Sequence, residues 1–313
     1  MKRFIGKCLL YTAVSVLTVL VLSAVLFLCI APQYSKGYNA SIIDKMARLR
    51  SLESPKIVLV GDSNLAYGMD SAVLEERFGM PVVNLGLHGG LGNEFHERMV
   101  YGEIGEGDVI VVSHTSFGDP GGVSEPLLTW ITVEDHFDLW PVIPEQGRLR
   151  MLKTLPKYAV RCAGLAITGK GNLATNDTYR RDAFNEYGDV AAYRPDGIHE
   201  KTGAPHTGLP GVSEICAGRL NRLYEECLRN KASCYITVYP VMDDGQAPSP
   251  EAFDEVMAGL EELTDCPVIS RFADYYFPPE YFFNTAYHMT TDGAHARALQ
   301  LADDLEAAGV RAR

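Results

Sequence analysis

The chain has 313 residues, enough for one large domain with a packed core and short additions. Hydrophobic residues make up 47% and charged residues 22%, a balance that excludes wholesale disorder. The formal net charge of −12 argues against nucleic acid or anionic lipid as the principal partner, because phosphate binding needs clustered Lys and Arg.

At the N-terminus Lys2, Arg3 and Lys7 precede an uncharged apolar run over residues 8–31. That run exceeds the roughly 20 residues needed to cross a bilayer core. A cleaved signal peptide has an apolar region of only about 7–15 residues and a small-x-small site. Here the segment is longer, Pro32 follows Ala31, and Leu28 before Cys29 matches a lipoprotein site poorly. An uncleaved single-pass anchor is therefore expected, with residues 1–7 as a cytoplasmic tip and everything after the span outside the cytoplasm. Residues 32–54 read as a linker followed by a helix over 42–52, capped by Ser41 and apolar at Ile43, Met46 and Leu49.

From residue 55 the pattern alternates. Short apolar strands are predicted at 56–60, 81–85, 108–113, 233–239 and 267–270, with helices at 71–78, 93–104, 212–229, 250–263 and 291–308. Continuous apolar strands separated by helices indicate a parallel sheet covered on both faces. The expectation is an α/β domain over 55–313, a three-layer α/β/α sandwich with a mostly parallel sheet of about five strands. Residues 115–211, rich in Pro, Gly, Tyr and Asn, read as an insertion at the C-terminal edge of the sheet, where ligands bind in such folds.

Of the seven cysteines, Cys8 and Cys29 lie in the apolar span, which leaves Cys162, Cys216, Cys227, Cys234 and Cys266 in an oxidising space. Cys234 and Cys266 each open a strand-like run and would be neighbours in the sheet. A disulfide between them and two buried thiols acting as small hydrophobes both fit that placement.

The first strand runs into Gly61-Asp62-Ser63-Asn64-Leu65. A Ser just after a buried strand, at the start of a helix, holds its hydroxyl at the sheet's C-terminal edge beside unpaired backbone N–H groups that can stabilise an oxyanion. The same spot is also where an ordinary helix N-cap belongs. A nucleophilic Ser needs an imidazole to take its proton. Three of the eight histidines stand in suggestive places. His199 is in mid-insertion with no helix after it, and His295 would share the first turn of the last helix with Asp292 as an end-cap pair. His288 falls after the last strand and before the last helix, on the edge where Ser63 emerges, and is the preferred base.

These residues resemble the SGNH/GDSL hydrolase superfamily, in particular bacterial membrane-anchored members linked to surface polysaccharide acylation. Residues 61–71 are similar to its first block, whose Ser is the nucleophile; 84–90 (Asn-Leu-Gly-Leu-His-Gly-Gly) to its second, whose Gly donates a backbone N–H to the oxyanion; and 287–293 to its last, which holds the catalytic His. Residues 184–189 (Phe-Asn-Glu-Tyr-Gly-Asp) are similar to a segment recurring in the anchored members, without an assigned role. The resemblance implies a flavodoxin-like α/β/α domain, Ser63 as nucleophile, His288 as base and Gly86 as oxyanion donor. Two features depart from the pattern. Asn284 and Thr285 stand where an acidic residue orients the His, so Asn284 is expected to orient it through its amide oxygen. The third-block Asn is missing from 113–119, which makes Asn64 and Asn93 its candidate replacements.

The resemblance implies a serine esterase or O-acyltransferase acting on an acylated cell-surface carbohydrate or acylated small molecule through an acyl-Ser63 intermediate. Neither cofactor nor metal is expected, since His88, His96 and His114 follow no ligand spacing. Expected partners are the membrane, through the N-terminal helix, and a membrane acyltransferase or polysaccharide-export protein, with no nucleic acid. Tyr179, Phe184, Tyr187 and Tyr193 in the insertion would either stack on sugars or form the insertion's own core. The competing expectation is a degenerate SGNH domain serving as a glycan-binding or scaffold subunit.

Overall fold

The computed structural model describes residues 1–30, 32–134, 136–172, 178–191 and 208–313. Ala31, Tyr193 and His199 lie outside these residues. Helix α1 (Lys2–Cys29) is long and apolar enough to cross a membrane. Its last turns pack on the domain, where the Phe27 ring meets Trp130 and Tyr158, each at 5.7 Å between centroids. Helix α2 (Ile42–Ser51) follows, burying Ile42, Met46 and Leu49. Ser41 makes no side-chain cap, contrary to expectation.

The core sheet has four parallel strands, β1 (Ile57–Gly61), β2 (Val82–Asn84), β3 (Val109–Ser113) and β4 (Ser233–Ile236), in the order β2-β1-β3-β4. The expected fifth strand at 267–270 is reduced to a single parallel bridge between Val268 and Ile236. Helices α3 (Ser63–Gly68), α4 (Ser71–Phe78), α5 (Asn93–Arg98), α6 (Pro126–Thr132), α7 (Arg148–Thr168) and α8 (Glu214–Arg229) occupy the connections. Two short strands, β5 (Val241–Met242) and β6 (Tyr276–Phe277), flank α9 (Pro250–Glu261), and the hairpin β7 (Phe282–Thr285) and β8 (His288–Met289) leads into α10 (Thr291–Ala307). The helix expected over 93–104 stops at Arg98. Gly102, at φ +83°, takes a left-handed conformation that an α-helix does not hold.

Alternate strand residues face opposite ways, and both faces are covered. Val58, Val60, Ile110, Val112 and Ile236 share a core with Met46, Leu49, Phe95, Leu220 and Leu223 of α2, α5 and α8. Ile57, Leu59, Val82, Val109 and Val111 pack with Leu74, Phe78, Leu301 and Leu305 of α4 and α10. The strand order turns back between β1 and β3, so the crevice beyond their C-terminal ends is the topological switch point of the sheet.

Residues 115–211 leave and rejoin the fold at a closed neck, where Phe117 N–H donates to Gly211 O (2.8 Å) and Ser213 N–H to Phe117 O (3.0 Å). The segment 184–189 now has a structural role. Tyr187 O accepts Asn84 N–H at 2.8 Å, on the outer edge of β2, and the Asp189 carboxylate holds Ser71 N–H, Ser71 Oγ and Asn84 Nδ2. Buried Lys45 bolts it down from below, donating to Asn84 O and Gly188 O. Burial lowers its pKa to about 7, against the pull of Asp189 and Asp44. Cys234 and Cys266 are neighbours, as expected, but as buried thiols with Sγ atoms 3.6 Å apart.

Candidate active site

β1 ends at Gly61, where a Cβ would lie 1.9 Å from the Ser113 carbonyl oxygen, so only Gly fits against β3. Asp62 then caps α3, accepting Asn64 N–H at 2.9 Å. The cap therefore belongs to Asp62, and Ser63, the first helical residue, keeps its hydroxyl for another use and its N–H without an intrahelical acceptor. The Asp62 carboxylate is buried and also accepts Asn64 Nδ2 (2.7 Å), Thr115 N–H (2.9 Å) and Thr115 Oγ1–H (2.7 Å). Burial alone would raise its pKa. The hydrogen bonds from Asn64 and Thr115 outweigh it and hold the carboxyl below the ordinary range, as a fixed anion linking the exits of β1 and β3.

The β7–β8 hairpin presents His288 toward this point. Thr285 Oγ1 accepts the N–H groups of Tyr287 (3.2 Å) and His288 (3.1 Å), tightening the turn so that Asn284 and His288 stand side by side. His288 Nε2 lies 3.1 Å from Ser63 Oγ, and its Nδ1 lies 2.8 Å from Asn284 Oδ1. Asn284 Nδ2 in turn donates to Tyr179 Oη at 3.2 Å, which fixes the amide with its oxygen toward the imidazole. An Nδ1–H tautomer directed at Asn284 leaves the Nε2 lone pair facing the Ser63 hydroxyl, the arrangement that lets an imidazole withdraw a proton. Tyr67, one helical turn after Ser63, stacks its buried ring on the imidazole at 4.1 Å and 17° and is itself stacked on Tyr38 at 5.8 Å. The base is thus clamped in plane by an aromatic column.

The three residues expected as oxyanion donors each have a hydrogen-bond partner within the framework. Gly86 N–H is already given to Asn84 Oδ1 at 2.9 Å. Its lack of a side chain serves packing instead, since a Cβ there would sit 2.5 Å from Ala66 N. Asn64 is fully buried: its Nδ2 donates to Asp62 and Ser113 O, while its Oδ1 accepts from Arg297 and Ser113 Oγ. Asn93 Nδ2 donates to Ser116 O at 2.7 Å. All three are committed within the framework. Gly89, three residues past Gly86, is exposed, lies against Asp62, and makes no backbone hydrogen bond through its N–H among the described residues.

Buried Arg297 of α10 braces the first turn of α3 from behind. It donates to Asn64 O (2.7 Å), Asn64 Oδ1 (2.8 Å), Ser113 Oγ (3.1 Å) and Val238 O (3.1 Å). Burial lowers its pKa to about 10, so it stays a cation at neutral pH. His295 pairs with Asp70 at 2.9 Å rather than with Asp292. Of the described insertion aromatics, Phe184 packs on Tyr38 with Lys45 over its ring, Tyr187 carries the Arg48 guanidinium, and Tyr179 reaches Asn284 and His288.

A cleft of about 390 Å³ adjoins the Asp62 cap, lined by Asp62, Gly89, Gly92, Asn93, Thr115, Ser116, Gly118, Asp119 and Ser124, and neither Ser63 nor His288 is among its lining residues. Among the described residues it is lined by hydroxyls, glycines and the carboxylates of Asp62 and Asp119 with no cation, a lining that suits a neutral polar ligand better than an anionic one. A larger cleft of about 750 Å³, bordered by Arg50, Arg98, Arg219 and Glu225, includes neither Ser63 nor His288. Tyr67, Gly89, Thr115 and Tyr179 were not assigned to the site from sequence. Tyr67 had a local signal, its four-residue spacing from Ser63, whereas Thr115 and Tyr179 arrive through tertiary contacts alone. No protein-family model, no curated protein and no solved structure matches the chain.

Proposed function

We propose that the chain is a membrane-anchored serine esterase or O-acyltransferase acting outside the cytoplasm on an acylated cell-surface carbohydrate. The observation that carries this reading is the unbroken relay from Ser63 Oγ through His288 to Asn284, at a helix N-terminus on the switch point of a parallel sheet. The SGNH/GDSL resemblance of the three motif blocks supports it, and the hydroxyl-lined cleft next to Asp62, without a cation among the described residues, fits a neutral sugar ester. Lys2, Arg3 and Lys7 before the apolar helix support an N-terminus held in the cytoplasm.

In the proposed reaction Ser63 Oγ attacks the ester carbonyl carbon as its proton passes to His288 Nε2. Asn284 Oδ1 holds the imidazolium through Nδ1–H, and the N–H groups of Ser63 and Gly89 receive the oxyanion. The alkoxide leaves with the proton from Nε2, giving acyl-Ser63. Water or a sugar hydroxyl, deprotonated by the same imidazole, then takes the acyl group. The test is acyl release from O-acetylated oligosaccharides by the full-length protein in detergent, with and without an added sugar acceptor. Release that disappears in Ser63→Ala supports the reading, and equal release by both proteins refutes it.

A second reading has its own support. Asn64 and Asn93 spend their amides inside the framework, and the described group at His288 Nδ1 is an amide oxygen, Asn284 Oδ1. A missing oxyanion donor typically costs about 100–1,000-fold in rate. A glycan-binding or scaffold subunit, partnered with a membrane acyltransferase or export protein, would bind the same oligosaccharide without releasing acid.

A further inference from the structure

The net charge of −12 conceals one strongly basic element. Helix α7 carries Arg148, Arg150, Lys153, Lys157 and Arg161 and contains no acidic residue. Its inner face, with Met151, Leu155, Tyr158, Ala159 and Cys162, is buried against the domain and the anchor. Its outer face is not the polar surface that a solvated helix presents. Leu149, Leu152, Val160 and Ile167 are 66%, 42%, 68% and 86% exposed. The spacing 149, 152, 156, 160, 167 puts them on one stripe with Pro156. Arg150, Lys153, Lys157 and Arg161 repeat that spacing one residue later, as a parallel basic stripe about 100° round the helix.

What covers this stripe follows from where the helix sits. The outer end of α1 packs on the domain through Ser23, Ala24 and Phe27, with Phe27 against Tyr158 of α7. On the opposite side of those same turns Val21, Leu22, Val25 and Leu28 remain exposed and apolar, so this level of α1 needs hydrocarbon around it. Counted from Cys8, the first residue after the charged tip, the helix reaches about 30 Å at Phe27, close to the thickness of a hydrocarbon core. The turns that touch α7 therefore lie at its outer boundary, and α7 lies beside them.

We propose that the outer face of α7 is a second membrane contact. Its apolar stripe dips into the acyl boundary, and its basic stripe binds the headgroups of an anionic lipid surface. The inference rests on α1 being a membrane anchor and is independent of the reaction at Ser63. It commits the domain to a fixed height. Only seven residues lie between Ile30 and Tyr38, at most about 28 Å of chain. Tyr38 stacks on Tyr67, and Tyr67 stacks on His288. Ser63 is thereby tethered close to the bilayer, within reach of substrate that is still near the membrane.

The test uses full-length protein in vesicles, with Val160→Trp as the reporter and the unsubstituted chain giving the background of Trp130 and Trp140. The expected result is flotation with the vesicles and quenching of the added tryptophan by lipids brominated on their acyl chains. Quenching should be about twofold stronger when about one-third of the lipid is anionic, and should fall to the zwitterionic level in a triple variant carrying Arg150→Glu, Lys153→Glu and Lys157→Glu. Flotation without quenching, or quenching indifferent to lipid charge, overturns the proposal. So does shielding of position 160 by a co-purifying protein. Failure to float removes the anchor and this proposal together, leaving the reading of Ser63 to be judged by acyl release.

Discussion

Replacing Asn284 with Asp tests the orienting group with minimal change of shape. Asn284 Oδ1 stands 2.8 Å from His288 Nδ1 and its Nδ2 donates to Tyr179 Oη at 3.2 Å. The Asp keeps the first contact and places its second oxygen where Asn284 Nδ2 faces the Tyr179 hydroxyl, a group that can donate as well as accept, so the substitution adds a charge with little change of shape. The imidazolium formed as Ser63 attacks then meets a carboxylate in place of an amide dipole. An opposite charge within about 4–6 Å favours an ionised group by about 1–3 pKa units, each worth about 1.4 kcal/mol or tenfold in rate. Asn284 is only half-buried, which screens the interaction and keeps the expectation to the lower part of that range. The predicted outcome is a rise of about 10–100-fold in kcat/KM for hydrolysis of an activated acetate ester. A steadier imidazolium also keeps the base protonated to higher pH, so the acid limb of the pH–rate profile should move up by about 1–2 units. Rates measured from about pH 5 to 9, with melting curves to verify the fold, read both effects. Activity of a folded Asn284→Asp variant within about twofold of the parent, with an unmoved acid limb, would refute the orienting role; so would a fall in rate.

Three further outcomes follow from the packing around the site. Gly61→Ala places a methyl 1.9 Å from the Ser113 carbonyl oxygen and should cost about 3 kcal/mol or more in urea denaturation; an unchanged midpoint would contradict the close approach of β1 and β3. Arg297→Met leaves Asn64 O and Val238 O without their donor and should destabilise by roughly 3 kcal/mol while slowing acylation, whereas neutral behaviour would show that the brace is dispensable. His96 is buried with both ring nitrogens unpartnered, and burial, reinforced by His114, lowers its pKa from 6.5 to about 4. The unfolded chain therefore binds the extra proton between those values, and stability falls as pH drops from about 6.5 to about 4, by at most roughly 3 kcal/mol. His96→Leu should flatten that decline and add about 1–2 kcal/mol near neutral pH; a melting profile with the parent's pH slope would count against this account.

The parallel sheet was legible because β1, β2 and β3 are continuous apolar runs, a pattern that burial on both faces imposes and that needs no tertiary information. The strand at 267–270 misled because apolar character marks burial, and a buried segment beside β4 need not complete a ladder. Ser63 could be singled out because it directly follows a strand end and His288 because it directly precedes the last helix, where topology fixes position, whereas Asn284 was named through the resemblance, as the residue in the place of the orienting acid. The oxyanion donors were beyond such reasoning. Gly86, Asn64 and Asn93 have suitable chemistry, but which hydrogen bonds they have already made depends on Asn84, Ser113 and Ser116 folding onto them. Tyr179 illustrates the same limit: it stands 105 residues before Asn284, and only the folded insertion brings it there.

Covalent trapping of the serine is the most direct test of the central claim. Full-length protein in detergent is treated with a fluorophosphonate, digested, and mapped by mass spectrometry. The account predicts a single adduct on the Ser63 peptide, lost in Ser63→Ala and in a folded His288→Ala. A folded parent protein that takes up no label, or takes it elsewhere, would contradict it.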